Sequence, residues 1–361
     1  MIALAKPFIG KEEKQAVSDV LDSGMIASGA VVDEFQQKFA SYIGVDFGIA
    51  ASSGTTALEA MLRAAGIGKG DKVLTTPFSF IASTNCIVYV GGVPVFADID
   101  PVSFNITPET AEEKLKAEPD IKAILLVHLF GHPCNMDAFV ALAKKYNVLL
   151  FEDCAQAHGS LYNGKKVGSF GDAAAFSFYP TKNMTTSEGG IVVTGNAKMA
   201  DNAKIIINHG MRTRYYHDEI GYNYRMTNIA AAIGLCQLDK LDGFNKKRDE
   251  IAQFYEKNIK NPLVTKPTVL YDGFHCFHQY SVLVDEKKRD SFVSHLQENK
   301  VGCSIFYPLS IPEQACYASF NFNTNLPVTN KIKMQIVSLP IHPQLTQDEL
   351  KKVAEVVNSF E

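Results

Sequence analysis

The sequence predicts an α/β fold with a mainly parallel β-sheet, followed by a smaller α+β region. Between about residues 47 and 205, short apolar runs alternate with amphipathic segments, which is typical of a parallel sheet covered by helices on both faces. After about residue 240 this alternation ends and charged helical segments follow. We therefore predict a large domain over 1–240 and a small C-terminal α+β domain over 241–361.

The individual elements follow from these runs in chain order. Apolar runs predict strands at 47–50, 72–75, 94–97, 124–127, 148–151, 171–178 and 190–194. Amphipathic runs predict helices at 55–65, 82–90 and 136–146, and a further helix that starts at Pro108 behind a Thr107 N-cap. In the second region we predict helices at 241–258 and 289–298, a strand at 279–284, and a last helix behind the capping box at 346–349.

Composition and charge exclude several classes of protein. The chain has 361 residues, 46% hydrophobic and 20% charged, as expected for a globular protein with a large core. The net charge of −4, with scattered lysine and arginine, argues against nucleic-acid binding. The seven cysteines show neither a CxxC pair nor zinc-ligand spacing, so we expect reduced thiols and no metal site. Because the sequence has no signal peptide and no apolar stretch of about 18 residues, we expect a cytoplasmic protein without a membrane span.

The segment Ser53-Gly54-Thr55 follows a predicted strand and opens a predicted helix. A helix start presents unpaired N–H groups at the positive end of the helix dipole, and small hydroxyl residues add donors. Together these groups suit a phosphate. The simpler interpretation, a serine that only caps the helix, remains open at this point.

The predicted strand at 148–151 runs into Glu152-Asp153. Ligands of open α/β sheets bind at the carboxyl ends of the strands, and a buried carboxylate there needs a cationic partner. The protonated ring nitrogen of a cofactor would serve, and holding that proton would make the ring an electron sink. A metal-binding aspartate and an aspartate that caps the next turn are the alternatives.

Lys182 follows the aromatic strand end Phe176-Ser177-Phe178-Tyr179 and precedes the turn Glu188-Gly189-Gly190. A lysine held among aromatic residues can be desolvated, which lowers the pKa of its amine and lets the neutral form attack an aldehyde. The alternative is an ordinary solvated lysine at the surface.

These three segments, in this order, resemble the DegT/DnrJ/EryC1/StrS family of sugar aminotransferases, which are fold-type I pyridoxal-phosphate enzymes. The resemblance covers nearly the whole chain, and further segments that carry it are Ser28-Gly29, Pro77-Phe78-Ser79-Phe80-Ile81-Ala82, Gly221-Tyr222-Asn223-Tyr224-Arg225-Met226 and Ser338-Leu339-Pro340-Ile341-His342-Pro343. It implies an aspartate-aminotransferase-like fold, with a seven-stranded, mainly parallel sheet in the large domain, and a homodimer with shared active sites.

The resemblance also implies roles for single residues around the cofactor ring. Lys182 would bind pyridoxal 5'-phosphate as a Schiff base and would carry the proton at the substrate carbon. Asp153 would pair with the pyridine nitrogen, and Gln156 would lie near the ring oxygen. Phe80 has the position of the aromatic residue that stacks on the ring face.

The cofactor phosphate has its own set of residues in the family pattern. Gly54 would bind it through the backbone, and Thr55 and Ser177 through their hydroxyls. Asn223 would reach the same phosphate from the neighbouring subunit. For contacts with the substrate, the candidates are His158 and Tyr179.

Two segments depart from the family pattern. Ser187 stands before Glu188-Gly189-Gly190 where many members have a glycine, which alters the loop but removes no catalytic group. The segment His209-Gly210-Met211 lacks the usual basic residue after the glycine, which affects the expected contacts with a substrate phosphate.

The implied reaction moves an amino group, from L-glutamate, to C3 or C4 of a nucleotide-linked keto-sugar for amino-sugar and surface-polysaccharide biosynthesis. Pyridoxamine 5'-phosphate would be the intermediate form of the cofactor. One alternative is a sugar 3-dehydratase relative, but that branch replaces the lysine with histidine, so Lys182 argues against it. A non-catalytic regulatory or binding protein is disfavoured by the intact set of Asp153, Ser177 and Lys182. The sugar-family segments around Lys182 and Asn223 count against an amino-acid decarboxylase or lyase.

Overall fold

The computed structural model describes residues 1–320, 322 and 324–361. Its helices are α1 (Lys11–Ser23), α2 (Ala30–Ile43), α3 (Gly54–Ala64), α4 (Ala82–Tyr89), α5 (Pro108–Ala117), α6 (Met136–Tyr146), α7 (Ala197–Ile206), α8 (Asn228–Asn258), α9 (Arg289–Glu298), α10 (Pro327–Gln335) and α11 (Gln347–Asn358). Its strands are β1 (Phe47–Ala51), β2 (Lys72–Thr75), β3 (Val93–Phe96), β4 (Ile121–Val127), β5 (Leu149–Asp153), β6 (Leu161–Tyr162), β7 (Lys165–Lys166), β8 (Ala173–Ser177), β9 (Gly190–Thr194), β10 (Met211–Thr213), β11 (Tyr216–His217), β12 (Val264–Thr265), β13 (Gly273–Phe274), β14 (Tyr280–Val284) and β15 (Ile336–Leu339).

The main sheet has seven strands in the order β1-β9-β8-β5-β4-β2-β3. Strands β3, β2, β4, β5 and β8 pair in parallel, whereas β9 is antiparallel to both β8 and β1. Only β9 therefore runs against the others, and the carboxyl ends of the remaining strands meet at one edge. The predicted α/β class with a mainly parallel sheet is confirmed.

Helices cover both faces of this sheet. Residues of α3, α4 and α7 form one apolar layer with the sheet, and residues of α2, α5, α6 and the first half of α8 form the other. Strand β5 contributes to both layers, because Leu150 packs in the layer with α2, α5 and α6 and Phe151 packs in the layer with α3, α4 and α7. Successive side chains of a strand point to opposite faces, so a strand buried on both sides is apolar throughout.

The C-terminal part of the chain has a third apolar cluster. It gathers residues from the end of α8, from β14, α9 and α11, and also Ile2 from the start of the chain. A three-stranded sheet in the order β12-β14-β15 lies within it. Because α8 runs without a break through residues 240 and 241, the division into domains 1–240 and 241–361 stays a prediction.

The predicted start of the helix at residue 241 is wrong, because α8 begins at Asn228. The Thr227 side chain caps it by accepting a hydrogen bond from the Ala230 N–H. Gly234 lies inside the helix for a packing reason, since a Cβ there would come within 2.7 Å of the Phe35 ring. Among the described residues, no helix has both the length and the apolar character needed to cross a membrane.

Candidate active site

A cavity of about 490 Å³ opens at the carboxyl edge of the main sheet, where ligands of α/β proteins usually bind. Loops that follow β1, β2, β5 and β8 supply most of its walls. The sequence-predicted residues that line it are Gly54, Thr55, Phe80, Asp153, Gln156, Ser177, Tyr179 and Lys182. The fold thus brings together residues that lie more than 100 positions apart in the chain.

The first wall of the cavity is the start of α3. Ser53 is the N-cap of this helix, and its side chain accepts a hydrogen bond of 3.1 Å from the Thr56 N–H. The capping interpretation is therefore correct for Ser53. Gly54 and Thr55 nevertheless line the cavity, so the first turn of α3 directs the positive end of its dipole towards it.

The second wall carries the carboxylate of Asp153, the last residue of β5, which is 3% exposed. Its Oδ2 accepts a hydrogen bond of 2.7 Å from the Ser83 hydroxyl, and its Oδ1 accepts one of 3.0 Å from the Ala155 N–H. Burial raises the pKa of the Asp153 carboxyl, while the hydrogen bonds from Ser83 and Ala155 and the charge of Lys182 oppose that rise. A cationic group placed in the cavity would stabilise the ionised carboxylate.

Gln156 also lines this wall, and its amide has a defined orientation. The side-chain oxygen accepts a hydrogen bond of 2.8 Å from the Phe130 N–H, and the side-chain nitrogen donates one of 3.1 Å to the Tyr307 hydroxyl. One N–H of the amide is left for a ligand in the cavity. Tyr307 and His278 also line the cavity.

Lys182 lies on the loop between β8 and β9, where it is partly buried and lines the cavity. Desolvation lowers the pKa of its amine to about 8, although the negative charge of Asp153 acts in the opposite direction. About a tenth of the amine is therefore neutral at pH 7, far more than for an ordinary lysine, and a lysine nucleophile reacts in its neutral form. The interpretation as an ordinary surface lysine does not fit this environment.

Phe80 and Tyr179 expose their rings in this region. Phe80 is 56% exposed and Tyr179 48%, even though both line the cavity. Large aromatic side chains are usually more buried than this, so both rings have a face available for a ligand.

Two predicted site residues do not line the cavity. His158 is fully buried behind it, with its ring against Phe176 and Phe178, and burial with the nearby charge of Lys182 lowers its pKa to about 3. Asn223 lies in an exposed segment and forms an isolated bridge with Asn208. Within one subunit, neither side chain is in place to contact a ligand of this cavity.

Sequence reasoning missed a buried hydrogen-bonded pair next to the site, Glu152 and His128. Glu152 points to the opposite face of β5 from Asp153, where it accepts hydrogen bonds from the His128 ring and from the N–H groups of Gly168, Phe170 and Gly171. Burial acts to raise the pKa of Glu152, but the hydrogen bonds outweigh it, and the pKa lies below its ordinary value. The pKa values of the adjacent Glu152 and Asp153 carboxyls are thus shifted in opposite directions, downwards for Glu152 and upwards for Asp153.

The same pair belongs to the one group of residues with metal-ligand chemistry found in the described part of the chain, formed by His128, Glu152 and Cys154. The His128 Nδ1 accepts a hydrogen bond of 3.0 Å from the Cys134 N–H, so Nε2 carries the proton that is donated to Glu152. Neither ring nitrogen has a lone pair left for an ion. Through Glu152 the group instead links β5 by hydrogen bonds to His128 and to the loop of Gly168, Phe170 and Gly171.

A family model for the DegT/DnrJ/EryC1/StrS aminotransferase family matches residues 7–358. The chain is 40% identical over 351 residues to dTDP-3-amino-3,6-dideoxy-alpha-D-galactopyranose transaminase from Aneurinibacillus thermoaerophilus, covering 97% of this chain and 95% of that protein. It is 38% identical over 364 residues to GDP-perosamine synthase from Escherichia coli O157:H7, covering 99% and 98%. The solved structure of Spr1654 from Streptococcus pneumoniae, in its PLP-form, has a TM-score of 0.93 at 26% identity and covers 99% of this chain and 98% of its own.

These similarities extend over nearly the full length of both partners, in sequence and in fold. They confirm the family resemblance carried by the segments around Gly54, Asp153 and Lys182. This protein belongs to the DegT/DnrJ/EryC1/StrS aminotransferase family.

Proposed function

We propose that this aminotransferase uses pyridoxal 5'-phosphate to move an amino group from L-glutamate to a nucleotide-linked keto-sugar. One observation carries the proposal: the start of α3, the Asp153 carboxylate and the desolvated Lys182 amine line one cavity. These are an anion site, a partner for a protonated ring nitrogen and an amine nucleophile, which together fit this cofactor and its aldehyde.

The residues that would hold the cofactor follow from this arrangement. The N–H groups at Gly54 and the hydroxyls of Thr55 and Ser177 would bind its phosphate. Asp153 would hold the proton of the ring nitrogen, and the exposed ring of Phe80 would stack on the cofactor. The bound cofactor supplies an electron sink for the substrate carbon that loses a proton.

Lys182 has two tasks in this proposal. Its neutral amine would bond to the aldehyde carbon of the cofactor with loss of water, and once the donor amine has taken its place, the same amine would remove and return protons at the substrate carbon. A pKa of about 8 suits both tasks, because the amine changes its protonation state near neutral pH.

The acceptor is proposed from the names of the relatives, one of which uses a dTDP-linked and the other a GDP-linked sugar. We infer that this chain aminates a keto-sugar at C3 or C4, attached to a nucleoside diphosphate, for amino-sugar and polysaccharide biosynthesis. Tyr179 lines the cavity and is a candidate for contact with that substrate. A cytoplasmic location stays a prediction.

An absorbance spectrum tests the cofactor and the donor. The purified chain, mixed with pyridoxal phosphate, should develop the visible band that this compound acquires on bonding to an amine, and L-glutamate should bleach it. Lys182→Ala should fold normally, lack the stable band and lose transamination by about 10²–10⁴-fold or more. Asp153→Asn should retain the cofactor but react far more slowly. A wild-type chain without the band, or a Lys182→Ala variant with near-wild-type turnover, would contradict the proposal.

We also propose a homodimer in which Asn223 completes the cavity of the partner subunit. The exposed position of Asn223, outside the cavity of its own chain, supports this. Mixed dimers of Lys182→Ala and Asn223→Ala chains test it, because one of the two sites in each mixed dimer would be intact. Recovery of about half of the wild-type activity per mixed dimer is expected, and no recovery in verified mixed dimers would contradict a shared site.

A further inference from the structure

The Asp153 carboxylate is held by two donors from different elements. The Ala155 N–H, two residues further along the same loop, bonds to Oδ1 at 3.0 Å. The Ser83 hydroxyl, in the first turn of α4, bonds to Oδ2 at 2.7 Å. Both residues line the cavity, but Ser83 is 1% exposed and Asp153 3%, so little of this contact is open to water. Hydrogen bonds from a hydroxyl to a carboxylate are among the strong ones, and burial strengthens them further.

The Ser83 hydroxyl has a second hydrogen-bond partner, the hydroxyl of Ser79. The Ser79 and Ser83 oxygens lie 3.0 Å apart. Because Ser83 has one proton and donates it to Asp153, the hydrogen bond between the serines must run from Ser79 to Ser83. The two serines thus form a chain of donors that ends on Oδ2, and each bond in such a chain polarises the next.

Several titratable groups face Asp153 from the surrounding elements, namely Lys182, His128, Tyr307, Cys86 and Cys154. Burial raises the pKa of the Asp153 carboxyl, and the Ser83 hydrogen bond is the strongest influence against that rise, ahead of the Lys182 charge. The Lys182 charge disappears whenever its amine is neutral. A serine hydroxyl donates at every pH of interest, so the Ser83 hydrogen bond lowers the pKa of Asp153 whether or not Lys182 is charged.

We propose that Ser83 is a positioning residue, whose hydroxyl keeps the Asp153 carboxylate ionised and oriented so that Asp153 can hold a proton on the cofactor ring nitrogen. The inference rests on the proposed function and assigns a residue that lines the cavity but is 1% exposed and directs its hydroxyl proton to Asp153. Without the Ser83 donor, the buried carboxyl would compete for that proton. The ring would then be a weaker electron sink, although every group that contacts it would still be present.

The test compares Ser83→Ala with a matched control on the same helix. Thr84 is also fully buried, and its hydroxyl has no hydrogen-bond partner among the described residues, so Thr84→Val removes a buried hydroxyl that does not touch Asp153. The first measurement is the pKa of the Asp153 carboxyl in the cofactor-free chain, from carbon-13 NMR. The second is the nitrogen-15 shift of ring-labelled pyridoxal phosphate bound to each variant, and the third is the rate of the L-glutamate half-reaction.

We expect Ser83→Ala to raise the Asp153 pKa by about one unit or more, which corresponds to at least a tenfold change in its proton affinity. The ring nitrogen should shift towards its unprotonated value, and the half-reaction should slow by about 10- to 100-fold. Thr84→Val should match the wild type, and Ser83→Thr, which keeps the hydroxyl, should recover most of the rate.

Other results would overturn the inference. An unchanged Asp153 pKa in Ser83→Ala, or equal shifts in Thr84→Val, would show that Ser83 acts only through helix packing. If the alanine variant does not fold, Ser83→Cys decides, because a thiol fills the site but donates weakly. A different result would contradict the proposed function, namely a wild-type chain that gives no visible band with pyridoxal phosphate. The titration of the Asp153 carboxyl needs no cofactor, so it tests the role of Ser83 independently of that result.

Discussion

Gly54 and Ser177 are in such close contact that a Cβ on residue 54 would lie 2.5 Å from the Ser177 Cβ and 2.9 Å from its Oγ. Side-chain atoms do not approach each other that closely, so only glycine lets the start of α3 adjoin the end of β8. This contact brings the N-terminal N–H groups of the helix and the Ser177 hydroxyl to the same side of the cavity. It explains in steric terms why a glycine stands within the predicted phosphate site.

Replacing Gly54 with alanine should therefore push α3 and β8 apart. We expect the free energy of unfolding to fall by about 1–3 kcal/mol, and the affinity for pyridoxal phosphate to fall by about tenfold or more. Urea unfolding and a spectroscopic titration with the cofactor measure the two effects. Gly68→Ala is the matched control, because a Cβ at Gly68 meets nothing within 4 Å. Equal behaviour of the two variants would show that the contact has no role in binding.

The lowered pKa of Lys182 predicts how cofactor attachment depends on pH. The amine has a pKa of about 8 instead of the ordinary 10.5, because burial disfavours its protonated form. Only the neutral amine attacks an aldehyde, so the rate of attachment should rise about tenfold per pH unit below about pH 7 and level off above about pH 9. Stopped-flow absorbance measures this rate, with Lys182→Ala as the background for other lysines. A rate that still climbs steeply above pH 9 would mean that the amine is solvated.

The buried Glu152–His128 pair predicts a loss of stability in acid. The Glu152 pKa lies below its ordinary value of 4.5, so the ionised carboxylate stabilises the fold above about that pH, and the contribution is lost as the pH falls through the folded-state pKa. Glu152→Gln should lower the free energy of unfolding at pH 7 by about 2–4 kcal/mol, because it loses the charge that three N–H groups and His128 share.

Urea unfolding at pH 7 and at pH 4 measures this prediction. The variant should lose less stability than the wild type between the two pH values, since it no longer has this carboxyl to protonate. Glu355→Gln serves as the control, because Glu355 is exposed on α11. A Glu152→Gln chain as stable as the control would show that the network around the carboxylate contributes little.

Ser187 predicts a stabilising substitution. This exposed residue has a φ of 73°, in the left-handed region that favours glycine, and its backbone N–H donates to the Thr185 hydroxyl. Ser187→Gly should raise the free energy of unfolding by about 0.5–1 kcal/mol, because relief of the strained φ exceeds the added entropy of the unfolded chain. Thermal unfolding of this variant beside Ser187→Ala, which keeps the Cβ, measures the effect. A gain in the alanine variant as well would assign it to the lost hydroxyl instead.

Much of the fold follows from local patterns. The predicted helices at 136–146 and 289–298 coincide with α6 and α9, and the Thr107 cap precedes α5 at Pro108 as expected. Cap residues and hydrophobic periodicity involve only neighbouring positions in the chain, so they predict a helix without knowledge of the elements that pack against it. The start of α8 did not follow from such patterns, since the predicted start is residue 241 whereas the helix begins at Asn228 behind the Thr227 cap.

The sequence by itself determined the α/β class, the family, and three of the segments that line the cavity, since the motifs around Gly54, Asp153 and Lys182 are short and lie at strand ends. Only the tertiary structure decided which side chains meet. Ser83 and Asp153 are 70 residues apart, and their hydrogen bond exists because α4 packs beside the end of β5. The burial of His158 behind the cavity likewise depends on Phe176 and Phe178 from another strand end. Such contacts depend on how whole helices and strands pack against each other, and no local pattern of residues specifies that packing.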